Sequence, residues 1–193
     1  MTENPTPDFP DGVADFPADS TALTYWLAAL VHNREYGTLA NLRRAREPNN
    51  AHIRAGWHGG EQHRELFERV AFLFAVYHRG RSTPHYGTGS LGAAARRIGD
   101  SVERGPDNPG AQRLVDRIVA SRRIPWRHLQ HVVTRLRSCE QAPPSWTRLT
   151  DDLIRWNDRQ ARVAYHWSVQ FHTPASRLRA AQSKQMTRKD AST

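Results

Sequence analysis

A chain of 193 residues, 38% of them hydrophobic, can bury one core or two small helical halves that share one. It contains no run near the roughly 20 apolar residues that a bilayer span needs. Its single cysteine, Cys139, excludes an internal disulfide framework and argues against a cysteine-based zinc site. The net charge is +9, with 28 Lys+Arg against 19 Asp+Glu. Residues 1–20 hold five acids (Glu3, Asp8, Asp11, Asp15, Asp19) and no base, so the remainder carries +14 against −5 there. All but Lys184 and Lys189 of the cations are arginine. A surplus of this size attracts polyanions, and the planar guanidinium binds phosphate oxygens in pairs.

Residues 1–19 are acidic and proline-rich, a composition that predicts a disordered tail and is the opposite of a secretory or mitochondrial signal, so the expected location is the cytoplasm. Asp19 or Ser20 caps a first predicted helix, whose stripe is Leu23, Trp26, Leu27, Leu30 and Val31. Gly37 ends it, and Thr38 opens a short second helix through Leu39 and Leu42, stopped by Pro48. Residues 49–60, rich in Asn and Gly, are expected to be irregular. Glu61 to Tyr77 predicts a central helix with Leu66, Phe67, Val70, Leu73, Phe74 and Tyr77 inward. A basic, glycine-containing loop spans 79–89.

Ser90 caps the next predicted helix, bearing Leu91, Ala94, Ala95 and Ile98 with Arg96 and Arg97 among them. The stretch Gly105-Pro106-Asp107-Asn108-Pro109-Gly110 is a break. Beyond it come a helix with Leu114, Val115, Ile118 and Val119, and a helix opened by Pro125 with Leu129, Val132, Val133 and Leu136. Pro143-Pro144-Ser145 leads into a last, longest helix from Trp146 through Trp156 and Val163 to Trp167, with Phe171 beyond. No strand alternation is visible. The expected fold is all-α, with an N-terminal bundle at 20–104, a C-terminal bundle at 105–172 and a polar tail at 173–193. Trp26, Trp146, Trp156 and Trp167 are expected in the core, and Trp57 is expected to plug the bundle.

No enzymatic constellation emerges. There is no P-loop, GxGxxG or HExxH. His58, Glu61 and His63 match no standard ligand spacing, and His128 with His131 lacks further ligands. Asp151 and Asp152 are sequence neighbours, which do not face each other on a helix, and acids suit a helix N-terminus. No catalytic residue, cofactor or metal is therefore assigned. The arginines recur instead as pairs: Arg43-Arg44, Arg96-Arg97, and Arg122-Arg123 followed by Arg127, with Arg79 and Arg81 in the loop. Taken together they read as a surface for nucleic-acid backbone, which positions a strand without reading its sequence. A free-standing helical DNA-binding regulator and a purely structural adaptor are the competing classes.

The order of features carries a resemblance. A Trp-bearing helix and a glycine lead to Leu39-Ala40, Leu42-Arg43-Arg44 and a proline. A hydrophobic helix, a basic loop and Ser90-Leu91-Gly92 with Ala95 follow. Then come Ala120-Ser121-Arg122, an Arg-bearing helix and the series Trp146, Leu149, Leu153, Trp156. Over about 20–172 this resembles the CasB family, the small subunit of the type I-E CRISPR Cascade complex. The resemblance implies two helical bundles, no catalytic site and non-specific nucleic-acid binding. It also implies two copies in the complex, between its backbone and large subunits, and contact with CRISPR RNA and the target DNA that it opens. By position Arg43 and Arg44 match the family's arginine pair and Arg122 its basic junction. Arg81, Arg96, Arg97, Arg123 and Arg127 are added from charge alone. The chain departs from relatives that carry Arg-Arg in the sixth helix, having Gln130-His131 there.

Overall fold

The computed structural model describes residues 18–44 and 49–173. The tails expected at 1–19 and 173–193 thus lie outside the described residues except for their inner ends. Within the described residues the chain forms helices α1 (Ser20–His32), α2 (Tyr36–Leu42), α3 (Asn50–Trp57) and α4 (Gly60–Tyr77), then α5 (Leu91–Ala95) and a 3-10 turn (Gly105–Asp107). After the turn follow α6 (Pro109–Val119), α7 (Trp126–Ser138), α8 (Trp146–Ile154) and α9 (Val163–His172). The fold is all-α: the described residues form no sheet, and a lone antiparallel bridge joins Gly99 to Arg104. No helix among them is long and apolar enough to cross a membrane.

The helix starts follow local chemistry. The Asp19 carboxylate accepts from the Ala22 amide at 2.8 Å, and the Ser90 hydroxyl accepts from Ala93 at 3.2 Å, each satisfying a donor that the helix leaves open. The second helix begins two residues before Thr38; its cap position, Glu35, makes no side-chain cap bond, and the Thr38 hydroxyl donates to the Glu35 carboxylate instead.

Two expected elements differ. Residues 49–60 are not irregular. Asn49 accepts from the Ala51 and His52 amides, and Ala51 and Ala55, four apart, bury one face of α3 against α4. The expected last helix is two helices. From Asn157 to Arg162 the chain has almost nothing apolar to bury; the Asp158 carboxylate accepts from the Gln160 amide to make a turn, and Arg162 adopts a left-handed backbone with φ 45°. The chain then folds back, so that the Trp156 and Trp167 rings meet at 5.2 Å.

One apolar cluster runs through the molecule, from Leu23 of α1 to Phe171 of α9. At its centre α4 packs on α3, α7 and α8, while α5 packs on α9, so helices from both sides of the Gly105 break share the cluster. Trp146 and Trp167 are buried as expected, and Trp156 nearly so. Trp26 only leans on the core, with the Arg54 guanidinium 5.5 Å from its ring centroid. Trp57 is no plug: it is 63% exposed, because α3 turns its alanines rather than its tryptophan toward α4.

The two neighbouring aspartates serve packing. Asp151 accepts from the Ser20 hydroxyl at 2.6 Å, tying α8 to α1. Buried Asp152 accepts from the Trp167 indole N–H at 2.7 Å. Burial raises the Asp152 carboxyl above the usual range, opposed by the Trp167 bond and by Arg148 and Arg155. Its ionised form is thus disfavoured in the fold, a penalty present at neutral pH and relieved as pH falls through the raised pKa. Asp152→Asn, which keeps an acceptor and drops the charge, is expected to match or exceed the parent stability at pH 7. Asp152→Leu orphans the indole N–H and is expected to cost about 2 kcal/mol. Urea unfolding of both variants checks the pair.

Candidate nucleic-acid interface

Arginines in this fold do two kinds of work. Arg96 caps the end of α5 and donates from Nη1 to the Phe171 carbonyl at 2.8 Å, holding the end of α9. Arg97 is half-buried. It donates to the Ala93 carbonyl and, through Nη2, to those of Ala142 (2.9 Å) and Pro143 (3.1 Å), clipping the segment that leads into α8. Burial lowers its pKa from the usual guanidinium value. Arg81 lies over the Tyr77 ring at 5.2 Å and donates to His85 Nε2 at 2.9 Å. These three residues, expected on the binding surface, are engaged within the molecule, and both Arg96 and Arg97 lie past the end of α5 rather than within it.

Four of the others face outward. Arg44 is exposed past the end of α2, and Arg122, Arg123 and Arg127 are exposed around the start of α7; none has a side-chain partner among the described residues. Arg43 is half-buried, with Nη1 3.4 Å from the Ala75 carbonyl, and its pKa is lowered first by burial and then by Arg79. It remains a cation, as guanidinium does at any ordinary pH.

The structure adds arginines that a search for adjacent pairs passes over. Arg117 joins Arg127, Trp126 and His128 around one shallow depression. Arg113, Arg117, His131 and Arg135 surround its neighbour. Arg113 and Arg117 stand four apart on α6, beside the buried stripe of Leu114 and Ile118, a spacing that the sequence does display. Among the described residues, the only arginine–carboxylate contacts within 4 Å are Arg69–Glu65, Arg148–Asp152 and Arg155–Asp152. The cations on the ends of α2 and α4 and around α6 and α7 are therefore not neutralised by paired acids, and their field extends into solvent.

No group of three or more His, Cys, Asp or Glu able to hold an ion occurs among the described residues. The His58 ring packs 5.8 Å from Trp26, and the His128 and His131 rings lie 6.3 Å apart. Cys139 is a half-buried free thiol at the end of α7.

Fold and surface together define an all-helical, arginine-rich protein whose described residues hold no catalytic constellation. Residues 38–172 match the model of the family described as CRISPR-associated protein Cse2, and the chain belongs to this CasB/Cse2 family. The fold is similar to that of the crystal structure of CasB from Thermobifida fusca. The TM-score is 0.60 at 18% identity, over 80% of this chain and 96% of that one. No curated protein matches at a significant level.

Proposed function

We propose that this chain is the non-catalytic small subunit of a type I-E CRISPR Cascade complex and grips nucleic acid through its arginine surface. Its partners are then CRISPR RNA and target DNA, the backbone and large subunits of the complex and a second copy of itself, and its place is the cytoplasm. The observation that carries this reading is the set of exposed arginines without carboxylate partners, Arg44, Arg122, Arg123 and Arg127, on a fold of this family. Contacts of this kind hold phosphates whatever the sequence. Replacing a DNA duplex by a guide–target heteroduplex is a near-balanced exchange, so a few phosphate contacts on the displaced strand tip it toward the open state.

Strand opening in a reconstituted complex, read by permanganate reactivity of unpaired thymines, tests the proposal. Opening is expected to be less complete without this subunit, and the Arg43→Ala/Arg44→Ala variant is expected to reproduce the defect. In isolation that variant should weaken binding evenly across sequences, with the slope of log K against log salt lower by about one for each phosphate no longer held. Unchanged opening with and without the subunit would overturn the reading.

A further inference from the structure

Between α4 and α7 lies a groove of about 680 Å³, within the roughly 300–1,000 Å³ of sites that enclose a small molecule. Its α4 wall is apolar, made by Phe72 and Val76, four apart on one helix face. Its α7 wall is polar and uncharged, with Gln130, Thr134 and Ser138 again at intervals of four. Three guanidiniums from three elements meet at its rim: Arg43 from the end of α2, Arg79 from just past α4, and Arg137 from the last turn of α7. Arg137 Nη2 reaches the Arg79 carbonyl at 3.4 Å, which links the α7 side to the α4 side. None of the three is within ion-pair distance of a carboxylate among the described residues. Glu140 is the one acid in the lining.

Each wall suits a different part of one ligand. Convergent cations without a counter-ion suit phosphate, and Arg43 and Arg79 already repel each other across the rim. An apolar side-chain floor suits the face of a flat ring. The Gln130 amide presents both donor and acceptor, and so can meet the edge of any base. Two helices in contact have axes only about 8–10 Å apart, so the groove between them admits a ring and excludes a duplex, whose bases are stacked inside. We propose that the groove is a nucleotide subsite. It takes one unpaired base of a nucleic-acid strand against Phe72 and Val76, with the adjoining phosphates on Arg43, Arg79 and Arg137, and so favours unpaired strand over duplex. The inference rests on the nucleic-acid reading above and adds to it a dependence on the base. It also gives α7 a role through Gln130 and Arg137.

The test is fluorescence anisotropy of the full chain with three labelled probes of equal length: a thymidine oligomer, an abasic phosphodiester oligomer and a duplex. A base held on an apolar floor should make the thymidine strand bind about tenfold tighter than the abasic one, at the low end of what one stacked base contributes. Phe72→Ala should shrink that ratio toward one while leaving the salt slope in place. Circular dichroism establishes that the variant folds, and Arg79→Ala/Arg137→Ala should shrink the same ratio if it does not. Equal binding of thymidine and abasic strands by the parent protein, with a steep salt slope, would overturn the subsite and leave the arginine surface standing. A parent ratio that persists in the folded variants would also overturn it. Absence of salt-linked binding to any probe would remove both readings.

Discussion

Gly92→Ala is expected to destabilise the protein by about 3 kcal/mol, and Gly37→Ala to stabilise it by about 0.5–1 kcal/mol, although both exchanges place alanine in a helix. Intrinsic propensity favours alanine over glycine by up to about 1 kcal/mol at either site. At Gly37, in α2, a Cβ meets nothing within 4 Å, so propensity acts alone. At Gly92, in α5, a Cβ stands 2.0 Å from the Trp167 carbonyl oxygen and 2.7 Å from its carbon, both backbone atoms of α9. No rotamer change moves a backbone carbonyl, so α9 must shift, and with it Trp167, Phe171 and the Trp167–Asp152 bond. Overpacking of this kind costs about 1–3 kcal/mol or more and outweighs propensity. Thermal unfolding of the two variants beside the parent checks the signs. For a domain of this size the Gly92 variant should melt roughly 10 °C lower. A Gly92→Ala melt equal to that of the parent would show that α9 does not pack against α5 as closely as described.

The importance of Gly92 is visible in the sequence only as one letter of a resemblance. Helices with a strong apolar stripe and a local cap, α1 with Asp19 and α5 with Ser90, are legible in the sequence. Both signals lie within a few residues of one another. Helix α3 is not, because its buried face is made of Ala51, His52, Ala55 and Gly56, which carry no strong hydrophobic period, and its largest side chain faces solvent. The α8–α9 break is hidden for the opposite reason: Trp156, Val163 and Trp167 continue an apolar pattern across a turn.

The same limit governs the interface. That the chain has a basic surface follows from net charge. Which arginines form it depends on carbonyls far away in sequence. Arg96 finds Phe171 and Arg97 finds Ala142 and Pro143, and no local pattern separates that pair from Arg122 and Arg123. The meeting of Arg43, Arg79 and Arg137 is likewise a product of α4 packing on α7.

Acid is expected to destabilise the protein through His78 by about 3 kcal/mol between pH 6.5 and about pH 4. His78 ends α4 and is 1% exposed. Its Nδ1 lies 2.9 Å from the Phe74 carbonyl, which can only accept, so Nδ1 carries the proton. Its Nε2 lies 2.9 Å from the His85 amide, which can only donate, so Nε2 is bare. The ring is therefore neutral. Burial is the main reason that its pKa falls to about 4, and His85, Arg81 and Arg137 lower it further against the opposing Phe74 bond. The unfolded chain takes up a proton near pH 6.5 and the folded chain only near pH 4, so stability falls with pH across that interval. His85, lowered in the same direction by burial and by Arg81, adds to the loss. Protonated Nε2 would point a hydrogen at the His85 N–H, breaking a bond that pins the loop carrying Arg79 and Arg81. Hydrogen exchange should then show the His85 amide losing protection early as pH falls. Urea unfolding at pH 7 and pH 4.5 should show a markedly smaller pH effect in His78→Gln, which keeps a donor and an acceptor but cannot titrate. Equal pH effects in parent and variant would place the acid sensitivity elsewhere. A surface held by phosphate contacts alone would gain affinity as histidines charge. If the loop orders the groove rim, the preference for a base should instead fade below pH 5 while backbone binding persists, separating the groove from the surrounding charge.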